Sequence, residues 1–592
     1  MPPSDLAGMM ASLLLRVSGV MAELASSVQG CAGGMDKAAF DAGRKVAVFL
    51  QFNGRSLRVP LSLLGVALVV VAMTWWWMGR PVDASAVVRA ADGKIECLSY
   101  APFRDGQSPL TLGAHIERRQ IEEDLARLSR VTKCVRTYSI QGLDQIPAAA
   151  EQFGLKVIQG LWLSNNRAKN KAEIDGVVAL ANRYPHVIKA IVVGNEVLLR
   201  GELSTSDLAQ VIRDVKAAVP VPVTYADVWE FWLRNRDLAA TTDFITIHIL
   251  PYWEDEPVPA HEASAHVDAI RRRVAAAFPG RGILIGEVGW PSHGRMRQGA
   301  LPSPSNQARV IGDVVALATA RGYPVNLIES FDQSWKRALE GTVGGYWGLF
   351  TATGRSPKFA LGEPVSDHPY WVWQALAGVA LVGFVFAAAW IAAGSAAAKI
   401  PVDLWLVVTF IAVVSGILFG WTIENAMIES LGLGGSIRGA AFGLLAAAAP
   451  LVASALLVRG ARLPVFARLV GPRDERLTDP LLRAAGWLLI LLTLVAIETA
   501  LGLVFDPRYR DFPFAALTAA VVPFLVCRLL GPKGEGSRAP AETAAAWALG
   551  LAAIFVLFNE GHANWQALWL AATFFALAIT LLRGRDARGS ES

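Results

Sequence analysis

Apolar residues along this chain are segregated, not evenly spread. Residues 60–79, PLSLLGVALVVVAMTWWWMG, carry no charge. About 20 apolar residues are what a helix needs to cross ~30 Å of hydrocarbon. Trp75, Trp76 and Trp77 close the run, where interfacial aromatics belong. A cleaved signal peptide would have a shorter apolar core nearer the start, followed by small residues. Here 59 residues precede the run, so the pattern predicts a retained anchor. From Tyr370 onward apolar runs recur near 371–393, 402–422, 439–458, 484–504, 513–530, 543–559 and 564–582. With the first, they predict eight transmembrane spans, of which 543–559 is the shortest.

Residues 81–369 read differently. Short apolar runs alternate there with segments of helical period. The predicted strands are 95–100, 134–140, 156–163, 188–196, 222–228, 244–252, 282–287 and 325–332. Between them lie amphipathic stretches such as HIERRQIEEDLARLSRV and SDLAQVIRDVKAAV. Eight strands alternating with helices over 289 residues predict an α/β TIM (β/α)8 barrel, joined to an α-helical transmembrane bundle. An open doubly wound sheet would carry a glycine-rich turn after its first strand, and APFRDGQSP is not one. The expected organisation is a segment over 1–59, an anchor over 60–79, the barrel over 81–369, a seven-span domain over 370–583 and a tail over 584–592.

Composition agrees with two populations. The 592 residues are 53% hydrophobic and 18% charged, against roughly a quarter charged in soluble domains. A net charge of +5 on this length points to no nucleic-acid partner. Basic residues set the orientation. Arg44, Lys45, Arg55 and Arg58 precede the first span, which puts 81–369 outside the cytoplasm. Arg459, Arg462, Arg468, Arg473 and Arg476 then fall inside, as do Lys533, Arg538, Arg583, Arg585 and Arg588. Only 505–512, with Arg508 and Arg510, opposes the rule. Of four cysteines, Cys31 would be cytoplasmic and Cys527 near a membrane face. Cys97 and Cys134 open adjacent predicted strands in a compartment where disulfides persist, so they are either bridged or two buried thiols.

Polar residues gather where the predicted strands end. Strand four ends Gly194-Asn195-Glu196, strand five holds Tyr225 and Asp227, and strand six carries His248 and ends Tyr252-Trp253. Strand seven ends Gly286-Glu287 and runs into Trp290; strand eight holds Glu329 and Asp332, followed by Trp335 and Lys336. In a barrel these ends line one mouth, which holds the active site. Glu196 and Glu287 are the best pair for the acid and the base or nucleophile that break a glycosidic bond. Trp162, Trp229, Trp232, Trp253, Trp290, Trp335 and Trp347 offer flat faces on which sugar rings stack, although core packing explains most single tryptophans. His248, His261, His266 and His293 form no HExxH spacing, and no GxSxG elbow occurs, so neither a metal nor another cofactor is expected.

These motifs resemble glycoside hydrolase family 17, the β-1,3-glucanase and glucanosyltransferase family. The likeness rests on Gly194-Asn195-Glu196, on GEVGWPSHG over 286–294, on ESFDQSWK over 329–336 and on Tyr138 in Arg136-Thr137-Tyr138. It covers about 95–362. It implies a retaining mechanism, with Glu196 as acid/base and Glu287 as nucleophile. It also implies a β-1,3-glucan substrate, met by Tyr100, Tyr138, Asn195, Asp227, Tyr252, Trp253, Trp290, Glu329, Asp332, Trp335 and Lys336. The whole-chain arrangement is similar to bacterial NdvC-type proteins of cyclic β-1,3/1,6-glucan synthesis. That likeness implies transglycosylation in the periplasm, at the inner membrane, of polymer made by a membrane β-glucan synthase.

Three functions follow as expectations: a membrane-anchored transglycosylase, a hydrolase trimming the same polymer, and a non-catalytic glucan-binding or export scaffold. Both glutamates being present argues against the last. In the membrane half Glu498, within LVAIETALG, is the ionisable group that stands out. An intramembrane carboxylate marks either a functional site or a group bonded inside the bundle. A transporter with an outer sensor domain would need such groups along several spans.

Overall fold

The computed structural model describes residues 58–84, 93–111, 113, 115–471, 477–532 and 539–585. Cys31, Arg44, Lys45, Arg55, Arg473, Arg476, Lys533, Arg538 and Arg588 lie outside these. The chain divides into two units, Pro81–Asp367 and the remainder.

In the first unit eight parallel strands close into a barrel in sequence order. They are β1 (Cys97–Ser99), β2 (Cys134–Arg136), β3 (Lys156–Leu161), β4 (Ile188–Asn195), β5 (Val223–Val228), β6 (Ile245–His248), β7 (Ile283–Val288) and β8 (Val325–Leu327). All eight predicted strands are present. Those predicted at 134–140, 244–252 and 325–332 end early, because their last residues leave the ladder to build the mouth. The ladders β4–β5, β6–β7 and β7–β8 shift register between Val192 and Asn195, Ile247 and His248, and Ile285 and Val288. Such irregularities re-aim side chains, and here they fall next to Asn195, His248 and Glu287.

The chain's helices, in order, begin with α1 (Arg58–Met78), outside the barrel. In the barrel follow α2 (Arg118–Leu128), α3 (Ile146–Gln152), α4 (Arg167–Arg183), α5 (Thr205–Ala218), α6 (Trp229–Arg234), α7 (Ala263–Ala277), α8 (Pro304–Arg321) and α9 (Arg337–Gly344). Local sequence starts several of them. The side chains of Asn166, Ser204 and Ser303 accept the backbone N–H of Lys169, Asp207 and Asn306, so free N–H groups at the starts of α4, α5 and α8 are bonded. Helix α5 then turns Leu208, Ile212 and Val215 onto the strands. One core lies between strands and helices; a smaller one inside the barrel holds Cys97, Cys134, Ile158, Val192, Ala226 and Leu284. There Cys97 and Cys134 are disulfide-bonded, joining β1 to β2.

The second unit also holds α10 (Trp371–Ala393), α11 (Val402–Glu429), α12 (Gly432–Val458), α13 (Ala467–Val470), α14 (Pro480–Phe505), α15 (Phe514–Leu530), α16 (Pro540–Glu560) and α17 (Trp565–Leu582). Among the described residues, seven helices are long and apolar enough to cross a membrane: α1, α10, α11, α12, α14, α16 and α17. The eighth expected span, α15, has only 17 residues and is covered by protein over most of its length. The segment expected to be shortest, 543–559, lies within the 21-residue α16. Helices α11 and α12 overrun the apolar windows 402–422 and 439–458, because polar residues such as Asn425 and Arg438 continue the helix.

Other expectations shift as well. Trp75 is fully buried in the bundle, while Trp76 and Trp77 are exposed. Cys527 is buried on α15, its Sγ 3.4 Å from the Ala453 carbonyl. Glu498 is not in the bundle interior: its side chain is 59% exposed and lies 3.8 Å from Arg438 Nε.

The disulfide closes a loop of 37 residues, so its loss should cost about 3–4 kcal/mol. The Cys97→Ala/Cys134→Ala chain, purified whole in detergent, should unfold at lower urea than wild type. Reductant should shift wild type the same way. An unchanged midpoint in both would refute a stabilising role.

Candidate active site

The strand ends converge on Arg136. This arginine ends β2 with a side chain only 1% exposed. Its Nη2 donates to Asn195 Oδ1 at 2.7 Å, and Nη1 donates to the Gly286 carbonyl at 2.7 Å and to Glu287 Oε1 at 3.3 Å. Gly286 leaves the room: a Cβ there would sit 2.4 Å from Thr246 Cγ2 and 3.2 Å from Arg136 Nη1. Gly289 does the same beside it, where a Cβ would lie 2.2 Å from the Ile328 carbonyl oxygen.

Glu287, on β7, is 5% exposed. Tyr138 donates its hydroxyl to Glu287 Oε1 at 2.8 Å and lies 2.8 Å from Ser99 Oγ. Asn326 in turn donates to Ser99 Oγ at 2.8 Å and to the Gly286 carbonyl at 2.6 Å.

Glu196 follows β4 in the left-handed region, with φ of 51°. A side-chain-bearing residue held there is strained, and the surroundings must hold it. Its N–H donates to the Ala226 carbonyl at 2.8 Å, and Arg200 clamps the Asn195 carbonyl with Nε at 3.2 Å and Nη2 at 2.9 Å. The Glu196 side chain, 22% exposed, meets His248 Nδ1 at 2.7 Å. Arg136 Nη1 lies 3.3 Å from His248 Nε2. A guanidinium N–H only donates, so Nε2 is the acceptor and Nδ1–H donates to Glu196. Burial pushes the Glu196 carboxyl up, but the His248 hydrogen bond and the charges of Arg136 and Arg200 outweigh it, and its pKa is lowered.

Buried ion pairs surround this centre. Lys336 Nζ donates to both Glu329 oxygens at 2.9 and 3.1 Å, and Lys358 Nζ donates to Asp332 Oδ1 at 2.8 Å. Burial raises Glu329 to about 7 and Asp332 to about 6, against the pull of their lysines. Lys336 is drawn up against its own burial by Glu329 and Glu340, and it also feels Glu287. Asp227 is fully buried, bonded by the Tyr225 hydroxyl and the Val228 N–H, and burial lifts it to about 6.

The structure therefore gathers Tyr138, Asn195, Glu196 and Glu287 at one mouth, with Glu329 and Lys336 behind them. Other expected contacts lie elsewhere. Tyr100 is buried, its hydroxyl 3.3 Å from Asp124, and Tyr252 is buried with its hydroxyl on the Arg295 carbonyl. Trp290 is buried with Nε1 on the Leu301 carbonyl; Trp253 packs edge-on to Tyr252. Trp335 is partly exposed and edge-on to Phe103. Trp162 is 38% exposed, with the Arg200 guanidinium 4.2 Å from its ring centre. Sequence reading missed Arg136, Ser99, Asn326 and Lys358 as site residues, and weighed His248 only as a metal ligand. A cation inside the apolar strand CVRTYSI and an amide inside VNLIES were the available signals.

Glu196, His248 and Glu287 offer ligand atoms within 4.8 Å of one another, the spacing a metal ion would need. Arg136 already brings a positive charge to the same Glu287 oxygen. Two carboxylates this close, one bonded to an imidazole and one to a phenol and a guanidinium, suit acid and nucleophile chemistry.

Residues 97–348 match the family model of the BtgE/BtgC glycoside hydrolase domain. The barrel is a glycoside hydrolase domain. Its relatives include the glucan 1,3-beta-glucosidase of Candida albicans, 28% identical over 257 residues, covering 39% of this chain and 82% of that protein. The glucan 1,3-beta-glucosidase of Saccharomyces cerevisiae is 25% identical over 258 residues, with the same coverage. Among solved structures, the glycoside hydrolase family 17 beta-1,3-glucanosyltransferase from Rhizomucor miehei is 25% identical. It covers 45% of this chain and 95% of its own, with a TM-score of 0.40. The resemblance to family 17 read from the sequence thus has relatives behind it across the glycoside hydrolase domain.

The buried carboxyl of Asp227 gives this domain a pH signature. With its pKa near 6 when folded and 3.8 ordinarily, the native state binds its proton more tightly than the unfolded chain does. Its contribution therefore falls as pH rises from about 4 through about 6. The stability of wild type relative to Asp227→Asn, followed by thermal melting, should decline across that window. A difference that stays flat or grows would contradict it.

Proposed function

We propose that this protein is a membrane-anchored β-1,3-glucan transglycosylase acting by a retaining mechanism. The observation that carries the mechanism is the approach of Glu196 and Glu287, with oxygens within 4.8 Å. Inverting enzymes separate their carboxyls by ~6.5–9.5 Å to seat a water, whereas retaining ones hold them ~5–5.5 Å apart. The names of the Candida and Saccharomyces relatives support a β-1,3-glucan as substrate.

Glu287 is the nucleophile, aimed by Tyr138 and Arg136. Glu196 is the acid/base: one oxygen accepts His248 Nδ1–H, and the other carries the proton given to the leaving sugar oxygen. The bond from the sugar to that oxygen breaks as the Glu287 ester forms. Glu196 then takes a proton from an incoming hydroxyl, which attacks the ester and frees Glu287. A sugar hydroxyl makes this transfer; water makes it hydrolysis. Asn195, held by Arg136, faces the substrate beside Glu196. Transfer is favoured because a purely degradative enzyme has little use for seven long apolar helices. The basic-residue pattern supports a multi-pass bacterial inner-membrane protein with the barrel in the periplasm, remodelling, branching or cyclising glucan from a membrane synthase.

The full chain in detergent, given β-1,3-oligosaccharides, should yield products longer than the substrate, resolved by mass and linkage. Only glucose and shorter fragments would establish the hydrolase reading instead. Glu287→Ala should abolish both, and Glu196→Gln should lower kcat about 10²–10⁴-fold. An active Glu287→Ala chain would overturn the assignment.

His248 supplies a sharper test. It holds Glu196 down, and the first step needs Glu196 protonated. His248→Phe should therefore move the alkaline limb of the kcat/KM profile to higher pH, while lowering the rate. A limb that stays put or moves to lower pH would show that His248 does not tune the acid.

A further inference from the structure

A polar groove lies inside the helical unit, far in sequence from the barrel. It runs between the C-terminal end of α11 and the N-terminal end of α12, with the start of α15 behind it. Its walls carry Thr422, Asn425, Glu429 and Ser430 on one side and Arg438 and Phe442 on the other. Depth follows from the helical rise of ~1.5 Å per residue. Glu429 and Ser430 lie at the helix ends. Asn425 is about 6 Å in, Arg438 about 9 Å, Thr422 about 10 Å and Phe442 about 15 Å. The lining thus passes from carboxylate, through amide and guanidinium, to an aromatic ring.

Arg438 is the unusual member. Its Nε is shut off from solvent and has no hydrogen-bond partner among the described residues. Glu498 of α14 stands 3.8 Å from that Nε, outside hydrogen-bond reach, and the guanidinium lies 5.2 Å from the Phe442 ring centre. A guanidinium at such depth in a bilayer is costly unless an anion meets it. Its planar fork matches the oxygens of a phosphodiester. A purely anionic ligand would be repelled by Glu429 and Glu498, whereas a cationic group would be drawn to them.

From these observations we propose that the groove binds the headgroup of a zwitterionic phospholipid. Its phosphodiester sits on Arg438 and its ammonium group faces the carboxylates. The ester region lies beside Asn425 and Thr422, and an acyl chain passes Phe442. The polarity gradient of the walls is that of the lipid itself. A glucan fits less well, because the groove has one aromatic face and the guanidinium already lies over it. The inference rests on the bilayer placement proposed above.

The test is native mass spectrometry of the detergent-extracted full chain, with phosphatidylethanolamine, phosphatidylglycerol and diacylglycerol at equal concentration. Wild type should retain one phosphatidylethanolamine. Arg438→Gln should lower that retention about tenfold, as expected for loss of a charged hydrogen bond. Arg438→Lys should keep more than Gln does, and Glu429→Gln should shift preference towards phosphatidylglycerol. Equal retention by Arg438→Gln, diacylglycerol held as tightly as phosphatidylethanolamine, or displacement of the lipid by laminaritriose would each overturn the site. A chain that leaves membranes without detergent would instead refute the bilayer placement, a separate failure.

Discussion

A guanidinium buried at the mouth of a closed barrel has no water to hydrate it, so protein groups must take its place. Arg136 is that group. From β2 it bonds Asn195 of β4, the Gly286 carbonyl and Glu287 of β7, and it faces His248 of β6. Only its Nε lacks a partner among the described residues. A charge this deep costs several kcal/mol unless paired, which ties the geometry of four strands to one side chain. Both glutamates inherit their placement from it: Glu287 directly, and Glu196 through Asn195 and His248. The two glycines that let the guanidinium and the Ile328 carbonyl come close belong to the same constraint.

The same rule, applied where water is scarcer, shapes the helical unit. Thr409, Thr422, Thr493 and Thr580 return their hydroxyls to the carbonyl four residues back in their own helices. Thr518, Thr573 and Trp569 bond one another inside the bundle. Against that economy the groove around Arg438 stands apart, since a charged group is left there with a carboxylate beyond hydrogen-bond distance.

Much of the barrel was legible because its determinants are local. Period-two and helical apolar patterns mark each strand and helix, and side-chain caps such as Ser204 and Ser303 set helix starts. Strand ends were less legible. Ladder pairing stops where a neighbour no longer matches register, and one strand's sequence does not record its neighbour's. Glu196 and Glu287 could be singled out because each is a carboxylate ending an apolar strand. Tyr252 and Trp290 also stand at strand ends, but their rings turned out to fill the core. An aromatic side chain is equally suited to core and cleft, so sequence alone does not separate the two.

By itself the sequence determined that an eight-stranded barrel and a set of long apolar helices share this chain, since both follow from spacing and run length. It also marked the carboxylates able to do the chemistry. Only the tertiary structure decided that Arg136 and His248 link those carboxylates, that Cys97 meets Cys134, and that α15 is enclosed by its neighbours. It alone brought Arg438 to Glu498. Each of these pairs residues remote in the chain, and such meetings are set by how strands close and helices pack.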